Sequence, residues 1–366
     1  VAVDLALAQA RRRGWRPHLI LRDKGVPLQP TMQRQIEQAG LALHWVPNLW
    51  PRSRLVRRIQ ALCGQIQPAV FFAHGYSEHL WGRRAALQQS VPYLVHVEHN
   101  VERYLPWRVR AARRLAISTQ VTACVSSGVE QNVRRLGIGG AHVLTVHNGV
   151  DGERFRCDTP LEMRAADILV PARFARNKDQ ATLIRAASLL RARRGWTGRL
   201  LLAGGGKRRY RLHSERLVSA LGLGEQVQFL GRVDDLPHRL AHCRVVALAS
   251  WQEGLPLVLV EAMSAGCAVV ASAIPGITDV LRAEGSNANG WLFPPGDAGA
   301  AAEVLWRALG ADTEAQRRAS AGARDAEGHF SLDAMAQRYE HIVDGLLAAD
   351  ATASRPWRNS GNQCGG

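Results

Sequence analysis

Short apolar runs and longer helix-like stretches alternate along almost the whole chain. The runs HLILRD (18–23), AVFFAHG (69–75), YLVHVEHN (93–100), QVTACVSS (120–127) and HVLTVHNG (142–149) read as strands. Between them, stretches at 53–66, 77–89 and 127–136 carry apolar residues at helical spacing. After a polar joint near 151–166 the alternation restarts with DILVPARF (167–174), RLLLAGG (199–205), QVQFLGR (226–232), VVALAS (245–250) and AVVAS (268–272). Continuous apolar strands separated by helices predict parallel sheets covered on both faces. Two successive units predict an α/β protein with two doubly wound, Rossmann-like domains, whose strand ends face a ligand cleft between them. We place an amino-terminal domain at 1–160 and a second at 161–330. The amphipathic helix SLDAMAQRYEHIVDGLLAA (331–349) is expected to return to the first domain, and 350–366 to form a disordered tail.

The opening, VAVDLALAQARRRGW, departs from this scheme. It is a helix pattern, where a doubly wound domain opens with a strand and a Gly-rich turn. The expectation is that a first strand and its turn are absent from this sequence, and that a chain starting at Val1 is poorly stable or weakly active.

One stretch raises a chemical question. EGLPLVLVEAMSAG (253–266) predicts a helix that starts at Pro256, stops at Gly266 and is apolar on nearly every face, so it should be buried. It nevertheless carries Glu261, with Glu253 eight residues upstream. A buried carboxylate without a partner costs several kcal/mol. Such a pair can accept hydrogen bonds from sugar hydroxyls, as an acidic side chain does on a ribose diol. The plainer alternatives are a helix-terminal charge for Glu253 and an internal polar network for Glu261.

Composition narrows the picture. A chain of 366 residues fits two domains, and its 46% hydrophobic content is that of a globular protein. No run of about 18 apolar residues is present, so nothing reads as a membrane span. The six cysteines are scattered, without zinc spacing, and read as reduced thiols of a cytosolic protein. The net charge of +16 invites a nucleic-acid reading. Only Lys24, Lys178 and Lys207 are lysine among the 47 basic residues, which fits a GC-rich genome better than selection for phosphate binding. Aromatic residues interleaved with the basic clusters, and a helix-turn-helix signal, are both missing. The clusters Arg52, Arg54, Arg57, Arg58 and Arg108, Arg110, Arg113, Arg114 lie in helix-like segments with apolar neighbours. They suit either a solvated face or contact with an anionic membrane surface.

Arg173 and Lys178 follow the strand DILVPA, where two cations could grip a diphosphate. The triple glycine at 204–206 permits close backbone approach to a ligand, or only a turn.

Taken in order, the blocks HNGVDGERF (147–155), VPARFARNKDQATLIRAASLL (170–190), LLLAGGG (200–206), VQFLGRVDDL (227–236), SWQEGLPLVLVEAMSAGCAVVAS (250–272) and NGWLFPPGD (289–297) resemble the family 4 glycosyltransferases, with their GT-B fold. The E-x7-E pair Glu253 and Glu261 is the most specific of these signals. The resemblance implies a retaining transferase, of hexosyltransferase type, that moves a sugar from a nucleotide diphosphate donor to an acceptor. It implies that Glu261 holds the ribose hydroxyls, that Glu253 contacts the donor sugar, and that Arg173 and Lys178 bind the diphosphate. Gly204, Gly205, Gly254, Leu255 and Pro256 would then contact the nucleotide sugar. His99 would stand by the donor sugar, with His96 and His74 as rivals. No metal and no cofactor beyond the nucleotide-sugar co-substrate are implied, and no DxD-like site is in a suitable place. The partners implied are a glycan or lipid-linked acceptor and an anionic membrane, at the cytoplasmic side of a bacterial surface-polysaccharide, lipopolysaccharide or glycolipid route, with no nucleic acid. Where the family commonly shows Gly-Gly and Glu, this chain has Pro275–Gly276 and Asp279; Asp can replace Glu as a hydrogen-bond acceptor, so the change reads as tuning rather than loss. A nucleotide-sugar epimerase, a phosphorylase lacking a suitable cofactor lysine, an inactive nucleotide-binding member and a basic nucleic-acid-binding protein are the alternative readings.

Overall fold

A computed structural model describes residues 1–351 apart from 13, 26, 76, 77 and 311. Residues 352–366, most of the expected tail, and Cys364 lie outside the described residues. The first half runs α1 (Ala2–Ala10), β1 (His18–Arg22), α2 (Pro30–Gln38), β2 (Ala42–Val46), α3 (Arg52–Ile66), β3 (Val70–His74), α4 (Glu78–Gln88), β4 (Tyr93–Glu98), α5 (Pro106–Ala116), β5 (Val121–Cys124), α6 (Ser127–Leu136) and β6 (His142–Thr145). The second half runs β7 (Ala165–Pro171), α7 (Gln180–Arg194), β8 (Leu200–Ala203), α8 (Arg208–Ala220), β9 (Val227–Gly231), α9 (Leu236–His242), β10 (Cys243–Leu248), α10 (Leu257–Ser264), β11 (Ala268–Ser272), β12 (Trp291–Phe293), α11 (Ala298–Leu309), α12 (Thr313–His329) and α13 (Leu332–Ala351).

Every strand pairing is parallel. The second half forms one six-stranded sheet in the order β9-β8-β7-β10-β11-β12. Its inner strands, such as AVVAS in β11, are buried at every position because helices cover both faces. The first half forms a four-stranded sheet, β3-β4-β5-β6, and a separate pair, β1-β2. The strand ALHWV (β2) escaped the apolar-run reading because polar His44 interrupts it, as befits an edge strand with one neighbour. Three-residue β12 is too short to show a period.

Local sequence accounts for several helix ends. Ser126 caps α6, its side chain accepting from Val129 N at 3.3 Å, and Gly137 ends that helix with φ of +61°. Asp297 caps α11 by accepting from Ala300 N at 2.9 Å. The largest apolar core fills the second domain and continues across the interface into Val125, just before α6, and Val129 and Val133 along it. Another core lies beneath β4 and β5, where Met335, Tyr339 and Ile342 of α13 pack with Leu5, Val95, Val97 and Val121. The chain crosses between the halves twice at one place, for Val150 pairs with Ser331 as an isolated bridge. Among the described residues no helix is long and apolar enough to cross a membrane.

Candidate active site

The six-stranded sheet reverses its direction of growth between β7 and β10. At such a switch point the loops leaving the two carboxyl ends part to opposite faces and open a crevice. Here the loops are 172–179 and 249–256, and they are stitched together. Trp251 N donates to Asn177 O at 2.9 Å, and Asn177 Nδ2 donates to Gln252 O at 3.1 Å. Asp179 has φ of 39°, a left-handed backbone that non-glycine residues seldom adopt. Its carboxylate accepts from Thr182 Oγ1 at 2.7 Å and from the Trp251 indole at 3.1 Å, which holds it there.

This stitching brings Lys178 and Glu253 together as an ion pair, with side chains only 15% and 11% exposed. A pair so covered is weakly screened by salt, and loss of either partner leaves a charge without compensation. Arg173 lies exposed on the same loop, its carbonyl accepting from Gln180 Nε2 at 3.0 Å. Its guanidinium makes no ion pair among the described residues. The triple glycine has a packing role at two positions. A Cβ at Gly204 would stand 2.3 Å from Ala172 O, and one at Gly206, where φ is +140°, 2.4 Å from Phe174 O. Gly205 meets nothing within 4 Å and is exposed.

Pro256 caps α10 and Gly266, with φ of +67°, follows its end. The expectation of burial on nearly every face needs correction. Leu259, Val260, Ala262 and Met263 are buried, but Leu257, Glu261 and Ser264, spaced along one stripe, are only half-buried. The Glu261 carboxylate makes no hydrogen bond or ion pair among the described residues. Burial raises its pKa, and the charge of Arg154 acts in the opposite sense.

The amino-terminal domain supplies the facing wall. His99 Nε2 lies 3.1 Å from His74 Nδ1 and the rings stack at 5.3 Å. Burial pushes the His99 imidazole down to about 4, with Glu98 pulling the other way. His96 is fully buried and stacks on His79 at 4.3 Å, which removes it from any surface. His79, His96 and Glu98 place three ligand-type atoms within 4.8 Å of one another. Their bonding is nevertheless that of a relay. Arg83, which can only donate, directs Nη2 to His79 Nδ1 at 2.7 Å. The proton of the neutral ring then sits on Nε2 and faces Tyr104 Oη at 2.9 Å, which donates to Glu98 Oε2 at 2.5 Å. The other Glu98 oxygen accepts from His99 N at 3.0 Å, so the relay ends by fixing the backbone of the cleft histidine.

The two walls touch through backbone. A Cβ on Gly254 would stand 2.0 Å from His99 O, and one on Gly276 2.2 Å from Gly254 O. Gly254 is therefore an interdomain contact glycine, and Leu255 and Pro256 beside it are buried. Asp279 accepts its hydrogen bonds from the other domain. Its carboxylate accepts from Ser127 N at 2.6 Å and Ser127 Oγ at 2.5 Å, with His147 Nε2 at 3.4 Å. Burial would raise its pKa, but the hydrogen bonds from His147 and Ser127 hold it below the usual carboxylate range. Asp279 thus latches the second domain onto the start of α6. Ser127, Asn177 and Trp251 are the residues that sequence reading missed. Trp251 and Asn177 lie inside the quoted blocks, but their roles depend on loops 75 residues apart.

Family comparison follows the same division. The model described as Glycosyltransferase Family 4 matches residues 1–154, and that described as Glycosyl transferases group 1 matches residues 152–326. The chain belongs to the family 4 glycosyltransferases. Anabaena HepE, solved in complex with UDP, matches this glycosyltransferase with a TM-score of 0.78 at 19% identity, covering 94% of this chain and 96% of that one. Sucrose-phosphate synthase from Thermosynechococcus elongatus matches with a TM-score of 0.74 at 21% identity, covering 95% and 92%. These likenesses establish the GT-B fold. Among curated relatives, a D-inositol 3-phosphate glycosyltransferase of Catenulispora acidiphila is 31% identical over 65% of this chain and 58% of its own length. A putative glycosyltransferase, EpsD, of Bacillus subtilis is 28% identical over 52% of each. An exopolysaccharide phosphotransferase of Streptomyces coelicolor is 29% identical over 58% of this chain and 22% of its own length. The glycosyltransferase therefore spans between 22% and 58% of these relatives.

Proposed function

We propose that this glycosyltransferase moves a sugar from a nucleotide diphosphate donor, with retention at the anomeric carbon, to a glycan or lipid-linked acceptor of a surface polysaccharide or glycolipid. The observation that carries the reading is Glu261, a half-buried carboxylate on the helix that leaves the switch point, with no hydrogen bond or ion pair among the described residues. A ribose diol supplies two donors for it. In this reading Lys178 and Arg173, on the loop after β7, meet the diphosphate and offset the negative charge that grows on the leaving nucleotide. Glu253, oriented by Lys178, faces the donor sugar, and His99 closes the opposite side. HepE has been solved with UDP-glucose bound, which supports a nucleotide-sugar donor.

An anionic membrane suits the outer surface of α5. Leu105, Trp107 and Ile117 are 53%, 52% and 88% exposed beside Arg110 and Arg114. Apolar side chains would enter the interface while the guanidinium groups meet lipid phosphates.

A thermal-shift panel of nucleotide diphosphate sugars tests the donor reading. One donor should raise Tm, and Glu261→Ala should lose most of that shift while keeping the unliganded Tm. Equal shifts in both proteins would remove Glu261 from the donor site.

A further inference from the structure

The loop between β4 and α5 is closed on itself by a side-chain bond. Tyr104, its last residue but one, donates to Glu98 Oε2 at 2.5 Å, so residues 98–104 form a ring clasped at its base. The clasped loop is held from two sides. Asn132 Nδ2 of α6 donates to Glu102 O at 3.3 Å and ties the loop to its own domain. Gln252 Nε2 of the second domain donates to Val101 O at 2.5 Å, and Gly254 packs on His99 O. Glu253, the partner of Lys178, lies between these two contacts. The turn 252–254 therefore lands on backbone carbonyls that the clasp displays.

The clasp is anchored on a buried charge. Arg83 is fully buried and makes no ion pair among the described residues. Its donors go to His79 Nδ1, His79 O and Thr119 Oγ1, all neutral. A buried guanidinium needs compensation, and the chain His79–Tyr104–Glu98 leads from it to a carboxylate that is itself only 1% exposed. Burial pushes the Arg83 guanidinium down to about 10, while Tyr104 and Glu98 pull it back up. Burial raises the Glu98 pKa, and hydrogen bonds from Tyr104, His99 N and Asn100 N oppose the rise. The two charges thus offset one another from the ends of a neutral chain. The stacked His79 and His96 rings lie 18° from parallel, so their nitrogens do not converge on one point in both ring planes as metal ligands do.

We propose that Tyr104 is a positioning residue for sugar transfer: through Glu98 it fixes the segment His99–Val101 against the turn 252–254, and so sets how the two walls of the cleft meet. The inference rests on the reading of His99 and Glu253 as neighbours of the donor sugar. Tyr104 acts through Glu98, whose other oxygen accepts from His99 N at 3.0 Å, and not on substrate. Without the phenol hydroxyl the Glu98 carboxylate is free to turn, and the two backbone amides it holds lose their acceptor. Lys178 and Arg173 stand on the other domain and keep their grip on the diphosphate. The loss therefore falls on the rate of transfer more than on donor affinity.

The test uses the whole chain with Tyr104→Phe, which removes one hydroxyl and keeps the ring, and with Glu98→Gln. The His99 and Asn100 amides should exchange roughly tenfold faster in either variant, while Val95 and Val97 of β4 keep their parent rates. Donors are screened by thermal shift with UDP-glucose, GDP-mannose and ADP-glucose. With the one that shifts the parent most, kcat should fall by about 10²-fold and the donor KM change by less than about threefold. The double variant should be no slower than the worse single one, because both break the same link. In the unmodified chain, imidazole nitrogen spectra should show the His79 proton on Nε2 alone, a measurement that stands even if a variant fails to fold. A proton on His79 Nδ1, unchanged exchange at His99 and Asn100, a loss confined to KM, or full additivity would overturn the proposal. Equal acceleration along β4 would also overturn it, since that is general loosening, as would stoichiometric zinc in the purified protein. If no donor shifts the parent, the donor reading fails by itself, and the exchange rates still decide the clasp.

Discussion

Replacing Gly254 by alanine separates two roles for the turn before α10. Its φ lies outside the left-handed range, so alanine can adopt the backbone and the effect is steric alone. The new Cβ would stand 2.0 Å from His99 O and 3.4 Å from Asn100 Oδ1. Ordinary C···O contact begins near about 3.3 Å, so one wall must retreat by roughly 1.3 Å. The obstacle is main chain on both sides, so no rotamer change relieves it. Overpacking of this kind costs about 1–3 kcal/mol, and the higher end applies here. In a protein of 366 residues that corresponds to a Tm lower by roughly 1–4 °C. A misplacement of about 1 Å between His99 and the switch-point loops should lower transfer by about 10²-fold. Calorimetry and single-turnover transfer from the donor measure the two effects. Gly205→Ala is the control, because its Cβ meets nothing within 4 Å, and it should leave Tm unchanged. If Gly254→Ala keeps its Tm and loses only donor affinity, the glycine serves a ligand and the interdomain account is wrong.

Three further outcomes follow from the same geometry. Asp279→Asn should destabilise by about 2–3 kcal/mol, because charge-assisted hydrogen bonds from Ser127 and His147 are weakened. Since the folded pKa is depressed, that contribution is present above the unfolded value near about 3.9 and is lost as pH falls through the folded one. Urea midpoints of the two proteins should therefore converge below about pH 4. Glu261→Gln should be more stable than the parent at pH 7.5, because the raised pKa shows that folding disfavours the carboxylate. The gap should close as pH falls through that raised value toward about 4.3; a less stable Gln variant at pH 7.5 would contradict the unpartnered carboxylate. Lys178→Ala should lower kcat by about 10²–10³-fold, and adding Glu253→Ala should lower it much less than additively, because the two act as a pair. Full additivity in that cycle would show that they work apart.

The second domain was legible because its strands are covered on both faces. AVVAS predicted at 268–272 is β11 at the same residues, and QVQFLGR contains β9. Glu253 and Glu261 stood out because carboxylates are rare in such surroundings, and Lys178 because lysine is rare in this chain. What escaped were relations between distant residues. Ser127 and Asp279 are 152 positions apart, and neither carries a local sign of the other. The Lys178–Glu253 pair spans 75 positions and depends on two strands becoming neighbours at the switch point. Helical burial of Glu261 was overestimated because an apolar run does not reveal which stripe faces a cleft.

The course of α13 has a consequence for biosynthesis. Met335, Tyr339 and Ile342 complete the core under β4 and β5, yet they leave the ribosome about 200 residues after those strands. At ordinary rates of elongation the delay is roughly 10–40 s. The half translated first must wait with the underside of its sheet uncovered, while residues 165–329 can close around their own core. Vectorial folding is thereby inverted, and the nascent amino-terminal half is the part on which chaperone capture, or premature pairing with another nascent chain, would fall.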